Sequence, residues 1–420
     1  MNIAIIDADI IGKNSHRFPN LACMKLSSFY KREGHGVVLK TDYEGLDAFD
    51  KVFISKVFTD TEIPGEPEDK TSKTDETIAD WYKDNEFLKR PNIEYGGTGF
   101  FFKNAPPLAC EIEHSMPDYN LYDAWIAEKI AAGARPAQFK YYTDYSIGFL
   151  TRGCFRKCPN CVNEKYSRAF SASPLAEFYD PTRKKICLLD DNFFACKNWR
   201  ELIQPIKDSG KRFRFKQGLD ERLLTPDIVK EIDSWKYEKE FIFAFDNIAD
   251  KPLILEKLKM LYDTAPYFRH GMKFYVFCGF DRNGKYDTEF WKQDIDSTFE
   301  RMLNLARFGA LSYIMRYEKI YKSEFATFYA AIASWSCQPS FFKKLSFRTF
   351  AICRGMTKEG YKKYVNDAMG YIDAGGKKGA SWRAMEQIEA QFPDVARKYF
   401  DTIPADIWGV DAQKERHKEE

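Results

Sequence analysis

Residues 146–161 read SIGFLTRGCFRKCPNC, and the two halves of this stretch ask for different structures. Residues 146–150 form a short apolar run of the kind buried in a parallel sheet, and Thr151-Arg152-Gly153 turns out of it. The remainder sets Cys154, Cys158 and Cys161 on one tight loop. Thiolates spaced C-x3-C-x2-C can cap three irons of a cubane and leave the fourth iron open, whereas an ordinary cluster takes four cysteines. Zinc is the competing metal, but structural zinc sites are closed by four ligands and usually arrive as two C-x2-C pairs, which this chain lacks. The other cysteines build no second motif and read as core thiols.

Outward from this loop a strand-helix rhythm repeats, as it does in parallel α/β barrels. Strands are expected at 146–150, 185–189, 212–216, 241–245, 273–277 and 311–316. Helices are expected at 198–207, 225–235, 251–262 and 292–308, with Thr225-Pro226-Asp227 as a clear helix start. Upstream, the run from Asn2 to Ile6 ends in Asp7 and predicts a buried strand. A helix follows from Leu21 to Glu33 with Gly34 as its stop, then strands at 36–40 and 51–55. Residues 59–92 are rich in charge and turn formers and read as a surface excursion or insertion; Ile93-Glu94-Tyr95 then feeds a glycine turn at 96–99. The predicted fold is therefore α/β: an N-terminal Rossmann-like open parallel sheet (1–132), a partial barrel of six β/α units (143–320) and a mainly helical C-terminal region (321–420).

Charge and hydropathy narrow the function. The chain has 420 residues, with Lys+Arg 64 against Asp+Glu 62, so no global field points to nucleic acid. No apolar run approaches the ~20 residues a spanning helix needs, and the start is too short for a signal-peptide core, so a cytoplasmic protein with no membrane partner is expected. In that compartment cysteines stay reduced, and a cysteine cluster reads as metal-binding or catalytic.

The segment TRGCFRKCPNC following a strand resembles the signature loop of the radical S-adenosylmethionine (SAM) superfamily, especially members with an N-terminal cobalamin-binding-type domain. The resemblance implies an oxygen-sensitive 4Fe-4S cluster on Cys154, Cys158 and Cys161. Its open iron is chelated by SAM, which is cleaved reductively to functionalise an unactivated carbon, with electrons from a donor such as a flavodoxin or ferredoxin. The family places an aromatic residue before the third cysteine where this chain has Asn160, so adenine packing falls to another group such as Phe155. Asp190-Asp191-Asn192 stand where relatives bind the SAM amino group; their other reading is a turn or helix cap. By the same resemblance Gln217, Asp246 and Asn247 reach SAM or substrate, and Gly279 lies against the adenine. Arg316 is a candidate partner for a carboxylate, with a surface ion pair as the alternative.

Asp7-Ala8-Asp9-Ile10-Ile11-Gly12 resembles the cobalamin-domain pattern D-x-H-x-x-G, with Asp9 in the histidine's place. Imidazole is a natural cobalt ligand and a carboxylate suits harder metals, so lower axial ligation is not expected from Asp9. Gly96-Gly97-Thr98-Gly99 matches the glycine turn such domains place near the nucleotide tail, which keeps cobalamin a candidate cofactor. Two alternatives stand beside the leading reading. One is a cobalamin-dependent radical SAM methyltransferase. The other is a non-enzymatic iron-sulfur or zinc module that binds nucleic acid or a partner through the basic, aromatic residues 341–354. The substrate, small molecule or macromolecule, is unidentified.

Overall fold

The computed structural model describes residues 1–66, 78–158 and 161–412. Asn160 and the terminal KERHKEE therefore lie outside the described residues. The chain is mixed α/β with parallel sheets and many helices, and it divides into two compact units, Met1–Gln217 and Gly218–Glu420.

The first unit opens with four parallel strands in the order β2-β1-β3-β4: β1 (Asn2–Asp7), β2 (Gly36–Lys40), β3 (Lys51–Ser55) and β4 (Ile93–Gly96). Strand alternation gives this sheet two apolar faces. Ile3 and Ile5 pack with Cys23, Met24, Trp125 and Ile126 of helices α1 (Leu21–Arg32) and α2 (Asp123–Ala131). Ala4 and Ile6 face Ile78, Tyr82, Leu88 and Phe100. Helix α1 begins where Asn20 accepts hydrogen bonds from the Ala22 and Cys23 amides at 3.1 and 3.3 Å. It ends before Gly34, whose φ of +81° is the left-handed stop expected of glycine.

The burial of Ile78, Tyr82 and Leu88 corrects the reading of residues 59–92 as a surface excursion. Their apolar side chains cover the second sheet face, and the flanking charges had masked the pattern.

After α2 come three parallel strands in the order β5-β8-β9: β5 (Tyr145–Gly148), β8 (Lys185–Leu188) and β9 (Arg212–Phe215), with helix α3 (Trp199–Asp208) between the last two. A two-residue antiparallel ladder, β6 (Thr151–Arg152) with β7 (Phe170–Ser171), pairs Thr151 with Ser171 and Arg152 with Phe170. Tyr119 fixes β5: its hydroxyl accepts the Ile147 amide at 2.8 Å and donates to the Phe178 carbonyl at 2.6 Å.

The second unit holds β10 (Phe241–Ala244), β11 (Met272–Cys278) and β12 (Leu311–Arg316) as a parallel sheet in that order. Helices α4 (Pro226–Asp233), α5 (Lys251–Thr264) and α6 (Thr288–Arg307) alternate with these strands. Thr225 caps α4 by accepting the Ile228 amide at 3.3 Å, as its Thr-Pro start predicted. Beyond β12 the unit is helical: α7 (Ala326–Ser336), α8 (Phe347–Cys353), α9 (Lys358–Tyr364), α10 (Ala368–Asp373), α11 (Ala380–Gln391) and α12 (Pro393–Tyr399). No helix among the described residues is long and apolar enough to cross a membrane.

Candidate metal centre

The ladder between β6 and β7 closes residues 153–169 into a loop at the carboxyl end of β5, the edge of a parallel sheet where ligands are usually bound. Cys154 and Cys161 are half-buried on it and Cys158 is exposed.

Three consecutive residues after β8 tie this loop down. The buried Asp190 carboxylate accepts the Leu150 amide at 3.2 Å and both the amide and hydroxyl of Thr151 at 2.7 Å. Burial pushes its carboxyl up to about 7 against the pull of these donors. Asp191 joins the two sides of the loop, accepting the Gly153 amide at 2.6 Å and the Asn163 side-chain amide at 2.7 Å; burial raises its carboxyl too. Asn192 donates from Nδ2 to Cys154 Sγ at 3.2 Å.

Further anchors come from segments that the sequence had not connected with the loop. Arg152 donates to Glu113 Oε1 at 2.8 Å and lies 3.7 Å from the Phe149 ring centre. The same carboxylate oxygen takes the nearly buried Lys25 ammonium at 3.1 Å. Burial alone would raise the Glu113 carboxyl, but Arg152 and Lys25 outweigh it and hold Glu113 below its usual range. On the far side, Lys103 pairs with Glu164 at 2.6 Å and Lys165 donates to the Ala105 carbonyl at 2.8 Å. Asn163 carried a weak sequence signal, since it lies two residues past the last cysteine; Lys25 and Glu113 carried none.

The sulfurs sit among N–H donors. Cys154 Sγ receives the Arg156 amide at 3.3 Å besides Asn192, and Cys161 Sγ receives the Asn163 amide at 3.4 Å. Burial pushes the Cys161 thiol up; the Asn163 amide opposes this and neighbouring Cys154 adds to it. A bound cation reverses that logic by deprotonating its thiols. Among the described residues no group of three His, Cys, Asp or Glu side chains is placed to hold a metal ion. A cubane spreads its thiolates over separate irons, and three thiols with N–H donors at two of the sulfurs are a donor set that fits it.

The remaining strand-end candidates have varied surroundings. Gln217 is exposed after β9. Asp246 accepts the Phe277 amide at 3.1 Å, and Asn247 accepts the Ala249 amide at 3.0 Å as a turn cap. Gly279 has φ +76° and donates to the buried Asp294 carboxylate at 3.0 Å; a Cβ there would meet Ile320 at 2.3 Å. Arg316 lies 5.0 Å from the Tyr321 ring centre and has no carboxylate partner among the described residues.

Asp9 does not fit a cobalt ligand. It is buried, and its carboxylate accepts the Val57 amide at 2.7 Å and the Thr61 hydroxyl at 2.5 Å. The glycine turn is likewise filled by the chain itself. A Cβ on Gly97 would stand 2.2 Å from the Lys56 carbonyl oxygen, and one on Gly99 would stand 2.4 Å from the Lys56 side chain.

Fold and site together define an α/β protein with a three-thiol loop at a strand end. No protein-family model matches the chain, and no curated protein matches its sequence. Among solved structures it is similar to the radical S-adenosylmethionine methyltransferase TsrM from Kitasatospora setae, a structure with cobalamin and a 4Fe-4S cluster bound. That likeness has a TM-score of 0.44 and 13% sequence identity over 75% of each chain.

Proposed function

We propose that this chain is a radical SAM enzyme in which Cys154, Cys158 and Cys161 hold a 4Fe-4S cluster and an unactivated substrate carbon is functionalised. The observation that carries the reading is the three-thiol loop at the carboxyl end of β5, clasped by Asp191. When bound, the cluster and SAM supply one-electron cleavage of the sulfonium, with electrons from a donor such as a flavodoxin or ferredoxin.

The protein's own part is positioning. Asp190 holds the turn out of β5 at Thr151, and Asp191 sets the loop's width. The N–H donors of Arg156, Asn163 and Asn192 stabilise negative charge on the sulfurs. Gln217, Asp246, Asn247 and Arg316 are the groups we assign to SAM or substrate from the strand ends. The Asp9 carboxylate is engaged by Val57 and Thr61, so we assign it no role as a cobalt ligand; hydrogen abstraction is our leading reading, with cobalamin-dependent methyl transfer beside it.

Anaerobic reconstitution with iron and sulfide, then reduction in the presence of SAM, tests this. The expected results are a brown protein and 5′-deoxyadenosine released into solution, both lost in Cys158→Ala. A protein that retains zinc at the loop and yields neither 5′-deoxyadenosine nor a methylated product overturns it.

A further inference from the structure

Helices α9 and α10 differ from the other helices of six residues or more, in that neither buries a single side chain. At seven and six residues they are also far below the length at which a helix is stable by itself. Each is nevertheless built with a side-chain cap: Thr357 Oγ1 accepts the Gly360 amide at 3.1 Å, and Asp367 Oδ1 accepts the Gly370 amide at 2.9 Å. Their contribution to the apolar core is therefore small.

Their outer surface is basic and aromatic. Lys358, Lys362, Lys363, Lys377 and Arg383 are all exposed, and none has a carboxylate partner among the described residues. Residues 354–383 carry seven Lys/Arg against three Asp/Glu, in a chain whose net charge is only +2. Of the three acids, Asp367 serves as the α10 cap, which leaves Glu359 and Asp373. Rings stand among the cations: Tyr364 and Tyr371 have centroids 5.1 Å apart, and the Lys363 ammonium lies 4.8 Å from the Tyr364 ring centre. A solvated lysine face needs neither the caps nor the rings.

We propose that α9, α10 and the segment up to Arg383 form a docking surface for single-stranded nucleic acid. Cations tracking a phosphate backbone, beside rings on which bases stack, are the pairing of groups such a strand requires. Charge complementarity favours this occupant over a membrane, because Met369 is the lone large apolar side chain in α9 and α10 that is exposed, and an inserting face needs a row of them. In the neighbouring residues 341–354, basic and aromatic in sequence, the rings of Phe342, Phe347 and Phe350 are buried in the core.

The test is fluorescence anisotropy of end-labelled single-stranded RNA and DNA of one mixed sequence, titrated with the full reconstituted chain at several salt concentrations. If all five cations engage phosphates, affinity falls about a hundredfold between 50 and 200 mM salt, from a slope of about −0.7 per neutralised phosphate. In K362Q/K363Q the slope becomes shallower by about 1.4. The RNA and DNA arms distinguish the two strands, and a duplex of the same sequence should bind more weakly than either.

Absence of binding at 50 mM salt, a slope unchanged in K362Q/K363Q, or binding to anionic phospholipid vesicles without binding to either strand overturns the proposal. Release of 5′-deoxyadenosine is read separately in the same samples, without nucleic acid. A chain that cleaves SAM and binds no strand refutes this surface alone, and one that binds a strand and cleaves no SAM refutes the cluster reading alone.

Discussion

Asn192 Nδ2 lies 3.2 Å from Cys154 Sγ, so the residue after the paired aspartates donates a hydrogen bond to a cysteine of the three-thiol loop. Donors of this kind favour the more negative, reduced form of an iron-sulfur cluster. Asn192→Leu should therefore lower the cluster's midpoint potential and slow SAM cleavage by a mild reductant more than by a strong one. Spectroscopic redox titration of the reconstituted protein reads the shift. An unchanged potential would show that the amide does not act on the cluster.

Asp191 holds Gly153 and Asn163 together, and both bonds end on one carboxylate. Asp191→Ala removes both, at a cost of about 2 kcal/mol or more for bonds to a charged acceptor. Asp191→Asn keeps one acceptor oxygen and should behave between the two. The expected order of iron retained after gel filtration is wild type, then Asn, then Ala, while circular dichroism stays the same.

Most strands and longer helices were legible in the sequence, because apolar runs of four to six residues such as Phe241–Ala244 and capped starts such as Thr225-Pro226 act locally. The cysteine loop was legible for the same reason, since its spacing is contained in eight residues. What could not be read was which distant partners the polar strand-end groups take within the chain. Asp190, Asp191 and Asn192 have the composition of an ammonium site, and in the structure they also bond to Thr151, Gly153, Asn163 and Cys154, partners 28 to 39 residues away. Residues 78–88 were hidden in another way, because the charges around Ile78, Tyr82 and Leu88 outweigh three apolar positions in any local average.

Asp7 lies fully buried at the end of β1, accepting the Tyr122 hydroxyl at 2.7 Å, and burial pushes its carboxyl up to about 7. In the unfolded chain it titrates near 3.9. Between these values the folded form binds a proton that the unfolded form has released, so stability falls as pH rises through this window and the loss is complete above the folded value. Asp7→Asn, with Tyr122 able to accept in place of donating, should flatten this part of the profile. Urea midpoints at pH 5, 6, 7 and 8 measure it, and an equally steep fall in the variant would assign the effect to other acids.

Gly97 has φ +108°, and its Cα stands where a Cβ would lie 2.2 Å from the Lys56 carbonyl oxygen. Both the conformation and the space exclude a side chain, and the Lys56 backbone just beyond β3 has no flexible end to move aside. Gly97→Ala should cost about 3 kcal/mol or more, in the range of strained-backbone and overpacked substitutions. Gly133, also at positive φ but with nothing within 4 Å of an added Cβ, serves as the control. Its alanine variant carries the conformational penalty alone, about 1 kcal/mol, and the difference between the two thermal midpoints isolates the clash.

Arg301 of α6 is buried, and its Nη1 donates to the carbonyls of Phe245 and Asp246 at 2.9 Å and of Phe277 at 2.8 Å. These oxygens are the carboxyl ends of β10 and β11, from which Asp246, Asn247 and Gly279 project. One guanidinium thus sets the spacing of the segments after β10 and β11, the first of which carries Asp246 and Asn247, the groups we assign to SAM or substrate. Arg301→Met leaves three carbonyls without this donor, at a cost of about 3 kcal/mol; Arg301→Lys, with three donors on a shorter reach, should recover part of it. A purely structural role predicts that SAM affinity follows stability. Positioning predicts more: in the lysine variant, at a temperature where it is fully folded, the dissociation constant for SAM rises several-fold by equilibrium dialysis while the cluster's absorbance is unchanged. If SAM binds the lysine variant as tightly as wild type, Arg301 holds the sheet and nothing further.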